Sequence, residues 1–168
     1  MKILGLAGWS GSGKTTLLTT LIPAFLAHGV SVSTVKHAHH EFDVDKPGKD
    51  SWRHREAGAT EVMVASSRRW ALMHELREAP EPTLEELVAH MTPVDLLIVE
   101  GFKRHNHAKI EVHRPSLGKP LIYPDDPHVI AIASDEALAV PIPLLSLGDA
   151  GGIAAFVADH FGFPQWRS

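Results

Sequence analysis

The chain has 168 residues, of which 44% are hydrophobic and 21% charged, and these values predict a single globular domain over residues 1–168. A formal net charge of −4 argues against binding of nucleic acid by general electrostatic attraction, and the lack of cysteine excludes disulfides and thiolate chemistry. No apolar run approaches the roughly 20 residues of a membrane span, and the first predicted strand begins at Lys2, so we expect a cytoplasmic protein without membrane contact or signal peptide.

The first predicted strand, residues 3–7, leads directly into a glycine-rich loop. Residues 8 to 15 read Gly-Trp-Ser-Gly-Ser-Gly-Lys-Thr, which is the complete G-x-x-x-x-G-K-[ST] pattern of a phosphate-binding loop. Such a loop turns backbone N–H groups towards phosphate oxygens, and the following helix presents its positive end to the same charge. In this pattern Lys14 reaches the β- and γ-phosphates and the Thr15 hydroxyl ligates magnesium. The predicted nucleoside-triphosphate site consists of Gly8, Trp9, Ser10, Gly11, Ser12, Gly13, Lys14, Thr15 and Thr16.

Helical and extended patterns alternate in the next part of the chain. Apolar residues at helical spacing predict a helix behind the loop that ends near Gly29, and residues 30–35 are rich in the β-branched types of a strand. A short helix is expected over residues 51–57. Residues 61–65 and 70–74 are separated by a polar turn and predict a β-hairpin.

Buried strands and capped helices are predicted for the second half of the chain. Thr83 begins a capping box, and Asp149 is placed to cap a final helix. The apolar runs 96–99 and 129–133 are typical of strands buried on both faces of a parallel sheet. Together these patterns predict an α/β protein, a three-layer P-loop NTPase fold with a mostly parallel sheet and an inserted β-hairpin.

Two carboxylates follow these buried strands, at the edge where α/β folds bind ligands. Glu100 comes directly after run 96–99 and can hold magnesium or polarise an attacking water, which makes Glu100 and Lys14 the candidate catalytic residues. Asp135 follows residues 129–133, and its carboxylate can accept hydrogen bonds from the two adjacent N–H donors of guanine that adenine lacks. Asp135 could equally cap a short turn, so the sequence leaves both roles open.

The loop after the second predicted strand, residues 36–51, is dense in histidine and charge. Three readings are open: a lid over the γ-phosphate, a solvated turn, or a transition-metal site built from His37, His39 and His40. The histidines show no scaffold of fixed ligand spacing. The lid reading uses one acid and two lysines: Asp45, Lys46 and Lys49.

Several segments resemble the molybdopterin-guanine dinucleotide biosynthesis protein B family, MobB. They are residues 37–51, Arg53 with the Ala-Gly-Ala run 57–59, and residues 99–103, and the resemblance covers nearly the whole chain. It implies a P-loop protein that binds GTP, hydrolyses it slowly with magnesium, forms a homodimer and works with the guanylyltransferase that attaches GMP to molybdopterin. It leaves open whether the molybdopterin cofactor itself binds to this chain. By position, residues 8–15, Glu100 and residues 133–135 match the family's phosphate loop, second motif and guanine-facing segment.

Other functions use the same loop. A small-molecule kinase would need a base beside its acceptor, for which Asp45 is available, and the histidines suggest a GTPase that delivers a metal, although such proteins commonly transfer metal through thiolates. A nucleotide-carrying adaptor with incidental hydrolysis is a further possibility. The sequence does not single out an arginine that assists hydrolysis among Arg53, Arg55, Arg68, Arg69 and Arg104.

Overall fold

Residues 1–38, 42–102, 105–164 and 166 are described by the computed structural model of the chain. Their contacts divide the chain into two units: unit 1 comprises Met1–His37 with Thr92–Ser168, and unit 2 comprises Ala38–Met91. Unit 2 is thus an insertion between two strands of unit 1. The expected single domain over residues 1–168 stays a prediction.

The strands and helices that the sequence patterns predict are present, and two strands in the carboxyl-terminal half were not predicted. The strands are β1 (Lys2–Ala7), β2 (Val32–Lys36), β3 (Glu61–Ala65), β4 (Trp70–His74), β5 (Leu96–Glu100), β6 (Lys109–His113), β7 (Val129–Ser134) and β8 (Leu144–Ser146). The helices are α1 (Lys14–Ala27), α2 (Asp50–Glu56), α3 (Leu84–Ala89) and α4 (Ala150–Phe161). Two short 3₁₀ turns lie between β6 and β7, at Pro115–Leu117 and Tyr123–Asp125.

Unit 1 contains a six-stranded sheet with the order β2-β5-β1-β6-β7-β8, in which the neighbouring strands are parallel. The α/β class and the mostly parallel sheet expected from the sequence are therefore confirmed. Leu6 of β1 lies opposite Glu100 of β5, and His113 of β6 lies opposite Ser134 of β7. This register brings the carboxyl ends of four adjacent strands to one edge of the sheet, where such folds bind their ligands.

One face of this sheet and the two long helices form the core of unit 1. Leu4 of β1 and Ile110 of β6 belong to the same buried cluster as Leu21 and Phe25 of α1 and Val157 of α4, and all five are fully buried. Burying a side chain of this size stabilises the fold by about 1.5 to 3 kcal/mol. The cluster holds the start of α1 against the end of β1, which fixes the loop between them.

The opposite face of β6 is polar and equally buried. Lys109, Glu111 and His113 alternate along the strand with exposures of 2%, 0% and 6%. The Glu111 carboxylate accepts the backbone N–H groups of Ile122 and Tyr123 at 2.8 and 2.9 Å. A buried carboxylate needs such partners, so β6 holds the segment between itself and β7 in place through hydrogen bonds.

Unit 2 contains the predicted hairpin, whose strands β3 and β4 pair antiparallel with Ala65 opposite Trp70. The predicted capping box is also present: the Thr83 hydroxyl accepts the Glu86 N–H at 3.2 Å, while the Glu86 carboxylate accepts the Thr83 N–H at 2.7 Å. The start of α3 is therefore fixed by the local sequence.

Candidate functional site

The loop between β1 and α1 has the backbone of a phosphate cradle. Gly8, Gly11 and Gly13 have φ angles of 148°, 82° and 100°, which side chains with a Cβ rarely adopt. A Cβ on Gly8 would lie 2.5 Å from the Val112 carbonyl oxygen and 2.7 Å from Ser12 Oγ. Glycine at position 8 is therefore needed both for the backbone conformation and for the close approach of β6.

Lys14, the first residue of α1, folds back over this loop. Its ammonium donates hydrogen bonds to the carbonyls of Gly8 at 2.9 Å and Trp9 at 3.1 Å. Gly13 precedes α1 at the N-cap position and has no side-chain oxygen that could accept the N–H groups of the first turn. The first turn of α1 thus has no side-chain cap, and its N–H groups and the Lys14 ammonium suit an anion such as a phosphate.

A buried hydroxyl in the loop also fits an anionic ligand. Ser12 is 1% exposed, and its Oγ has no hydrogen-bond partner among the described residues. A Cβ on Gly11 would touch only a Leu117 methyl group at 3.9 Å, so the loop is open beside that residue. An unsatisfied buried donor next to an open glycine loop suits a phosphate oxygen.

Trp9 ties the loop to the segment between β6 and β7. Its indole Nε1 donates to the Pro120 carbonyl at 2.8 Å, and Lys119 Nζ lies 5.8 Å from the ring centroid. The ring remains 37% exposed. The segment between β6 and β7, whose N–H groups are bound by Glu111, is therefore also attached to the phosphate loop.

Arg114 is a site residue that sequence reasoning missed. Its Nε donates to the Ser12 carbonyl at 3.1 Å and its Nη1 donates to Asp135 Oδ2 at 2.5 Å. Arg114 and Asp135 directly follow His113 and Ser134, which lie opposite each other in the β6–β7 pair. The register of the two strands, which the sequence alone does not reveal, puts the guanidinium beside the carboxylate.

The structure brings the predicted magnesium residues to the same edge of the sheet. Glu100 is the last residue of β5 rather than the first residue after it, and it is half-buried. Its carbonyl accepts the His37 N–H at 2.8 Å, which ties the end of β2 to β5. Thr15 is exposed as the second residue of α1. A hydroxyl and a carboxylate are suitable ligands for Mg²⁺, and their roles stay predictions.

Two acids of the loop 36–51 have hydrogen-bond partners within unit 2. Asp45 Oδ1 accepts the Lys46 N–H and the Ser51 hydroxyl, both at 2.9 Å. Arg55 Nη2 binds the Asp43 carboxylate at 2.9 and 3.0 Å. The Asp45 N–H and, secondly, Arg55 lower the pKa of Asp43 below its usual value.

The lysines of the proposed lid and the histidines of the proposed metal site differ in how far the structure describes them. Lys46 and Lys49 are exposed, which fits either a lid or a solvated turn. His39 and His40 lie outside the described residues, as do Lys103 and Arg104. Among the residues that the structure describes, no group of three or more His, Asp or Glu side chains could hold a metal ion.

A second polar region lies on the other face of the sheet. A cavity of about 490 Å³ is bounded by Ala7, His105, Lys109 and residues 125–128, among others. The Lys109 ammonium donates to the His105 carbonyl at 2.7 Å and to Asp126 at 2.9 Å. Burial and the nearby Lys109 lower the pKa of His107 to about 4, so this imidazole is neutral at pH 7.

No helix in the described part of the chain is both long and apolar enough to cross a membrane. The parallel sheet, the glycine loop after β1 and the helix that begins at its lysine define an α/β protein of the phosphate-loop class.

The family can be named from comparisons with known proteins. The model of the family MobB, Molybdopterin guanine dinucleotide synthesis protein B, matches residues 3–135, and the chain belongs to this family. The resemblance noted in the sequence is thereby confirmed.

Named relatives cover almost the whole chain. A protein of Escherichia coli (strain K12) called molybdopterin-guanine dinucleotide biosynthesis adapter protein is 48% identical over 162 residues, which are 95% of this chain and 93% of that protein. A protein of the same name from Haemophilus influenzae is 44% identical over 96% of this chain and 92% of its own length. A crystal structure titled molybdopterin-guanine biosynthesis protein B (mobB) superposes with a TM-score of 0.74 at 26% identity, covering 94% of this chain and 99% of that one.

Proposed function

We propose that this protein is a GTP-binding accessory protein with weak, magnesium-dependent GTPase activity in molybdenum cofactor biosynthesis. It assists a guanylyltransferase in converting the molybdopterin cofactor to its guanine dinucleotide form. The observation that carries the proposal is the complete glycine loop with Lys14 folded over it, in a chain that belongs to the MobB family. The adapter function in the names of its relatives supports the biosynthetic role.

Different groups at the site would bind different parts of the triphosphate and its magnesium ion. The N–H groups of the loop and of the first turn of α1 would bind phosphate oxygens, and the Lys14 ammonium would exchange its two carbonyl partners for the β- and γ-phosphates. Thr15 and Glu100 would hold magnesium, which neutralises charge on the phosphates when bound. Glu100 would also orient the attacking water.

Guanine recognition is assigned to Asp135. Its carboxylate stands at the same edge as the phosphate loop and is 33% exposed, so a bound base can reach it. Guanine offers two adjacent N–H donors to the acceptor positions that Arg114 leaves on this carboxylate, whereas adenine presents no such pair of donors. The proposal therefore predicts a preference for GTP over ATP.

The hairpin of unit 2 supports the expected homodimer. Three large apolar side chains share one face of the β3–β4 hairpin and are exposed by 41% to 64%: Met63, Trp70 and Leu72. Apolar residues grouped in this way are typical of protein interfaces. A second copy of the chain is the partner that the family resemblance implies, and the guanylyltransferase is the other.

Matched titrations of GTP and ATP, with and without the guanylyltransferase, test this function. We expect tighter binding of GTP, release of phosphate without any acceptor, and a faster guanylyl transfer to molybdopterin when this protein is present. Acceptor-dependent formation of ADP would favour a small-molecule kinase instead, and stoichiometric uptake of nickel would favour a metal-delivery protein. In the kinase reading Asp45 would be the base, although it already accepts two hydrogen bonds within unit 2.

A further inference from the structure

Three neighbouring strand ends meet at one arginine side chain. The phosphate loop follows β1, Arg114 follows β6 and Asp135 follows β7, and these three strands are adjacent in the sheet. Arg114 donates to the Ser12 carbonyl in the loop and to the Asp135 carboxylate. A single guanidinium therefore joins the loop that would hold phosphates to the acid that would hold the base.

The planar shape of the guanidinium makes this connection rigid. Its Nε and Nη1 groups, held in one plane, reach the two partners, and its Nε and Nη2 lie 3.4 and 3.5 Å from the position of a Cβ on Gly13. The group thus packs over the last glycine of the loop. A lysine at this position has a single ammonium on a flexible stem and cannot reproduce a planar, two-sided contact.

Asp135 keeps the capacity to bind a base while it is paired. A carboxylate has two oxygens with about four acceptor positions, and Arg114 uses one of them on Oδ2. The remaining positions can accept the two adjacent N–H groups of a guanine edge. Arg114 would then orient the carboxylate relative to the phosphate loop without occupying the surface that reads the base.

We propose that Arg114 is a positioning residue that sets the base specificity of the nucleotide site. It does so by holding the Asp135 carboxylate at a fixed position relative to Ser12. The inference rests on the proposed function, since it takes Asp135 as the residue that reads guanine. A simple surface ion pair is the competing explanation, because Arg114 and Asp135 are 36% and 33% exposed. Exposed pairs contribute little to stability and would have no influence on the choice of base.

Calorimetric titration of the full chain with GTP and with ATP, both in the presence of magnesium, tests the inference. The proteins compared are the wild type, Arg114→Ala, Arg114→Lys, Asp135→Ala and the double variant Arg114→Ala/Asp135→Ala. We expect Arg114→Ala to lower the ratio of GTP to ATP affinity about tenfold, the size of one charged hydrogen bond. Arg114→Lys keeps the charge and should recover only part of the ratio.

The double variant and a charge control separate positioning from general electrostatics. If Arg114 acts through Asp135, the double variant has the same ratio as Asp135→Ala alone, because the two losses are not additive. Lys2→Ala removes one positive charge at the exposed amino end of β1, far along the strand from the loop, and should leave the ratio unchanged. Thermal unfolding of each variant establishes that it is folded.

Two results would overturn the inference in different ways. A folded Arg114→Ala that keeps the wild-type ratio, or losses that add in the double variant, would show that Arg114 does not act through Asp135 while leaving guanine recognition intact. Equal affinity of the wild type for GTP and ATP would remove guanine recognition by Asp135 and the role of Arg114 with it.

Discussion

One arginine in each unit binds carboxylates, and the two surroundings differ in kind. In unit 2, Arg55 hydrogen-bonds Asp43 and Glu75 and lies 3.6 Å from Asp45, so three acids surround one cation. In unit 1, Arg114 binds one acid and one carbonyl of the phosphate loop. The first arginine binds acids of its own unit, whereas the second connects a carbonyl of the phosphate loop to the Asp135 carboxylate. We infer that the partners of an arginine, rather than its place in a basic stretch, predict whether it stabilises the fold or contributes to ligand binding.

The largest effect is expected at the loop itself. Lys14→Ala should weaken triphosphate binding by at least about 2 kcal/mol, roughly 30-fold, because the ammonium opposes several phosphate charges. The fold should survive, since Lys14 does not belong to the buried core and the partners that are lost include two carbonyls of the loop. Calorimetry on the folded variant measures the change, with Lys2→Ala as the control. Unchanged affinity would contradict the assignment of the loop.

A smaller effect, confined to hydrolysis, is expected at the end of β5. Glu100→Gln keeps the size of the side chain but removes the charge that magnesium and the attacking water require. Loss of one charged contact of about 1.5 kcal/mol lowers the rate roughly tenfold, while nucleotide binding changes much less. Phosphate release per bound GTP is the measurement. An unchanged rate would mean that Glu100 only ends the strand.

Arg55→Ala is the structural counterpart of Arg114→Ala. Removing Arg55 leaves three carboxylates together without their cation, so we expect the melting temperature to fall by several degrees. The affinities of the folded protein for GTP and ATP should remain those of the wild type. Thermal unfolding followed by circular dichroism measures the stability of both variants, and calorimetry measures their affinities for GTP and ATP. We expect Arg55→Ala to change the stability and Arg114→Ala to change the base selectivity. A loss of GTP selectivity in Arg55→Ala would abolish the distinction between the two arginines.

The effect that is smallest at neutral pH concerns the pH dependence of stability beside the polar face of β6. The pKa of His107 is lowered to about 4 in the folded protein, whereas an unfolded histidine takes up its proton near 6.5. The unfolded chain therefore binds more protons between these values, and this residue lowers stability as pH falls from about 6.5 to 4.

His107→Gln should flatten the fall in the free energy of unfolding across that range, as measured by urea titration at several pH values. His90→Gln, at an exposed position at the end of α3, is the matched control and should keep the wild-type slope. Equal slopes in the wild type and His107→Gln would argue against a buried neutral imidazole at this position.

Local patterns explain which elements were predictable. The hairpin strands were predicted with the bounds that the structure has, because two mostly apolar runs lie next to each other in the chain with a polar turn between them. Asp149 caps α4 as expected and accepts the Gly152 N–H at 2.8 Å. Strand β6 was not predicted, and neither was β8. Lysine, glutamate and histidine on β6 suggest an exposed strand, and only the segment folded over them buries that face.

The sequence by itself determined the phosphate loop, the family and the strands and helices other than β6 and β8, because each depends on residues close together in the chain. Only the tertiary structure decided which arginine stands at the site. Arg114 and Asp135 are 21 residues apart, and Arg114 and Ser12 are 102 apart. Their meeting depends on the order of β1, β6 and β7 and on the register that sets His113 opposite Ser134, and such pairing of distant strands leaves no local pattern in the sequence.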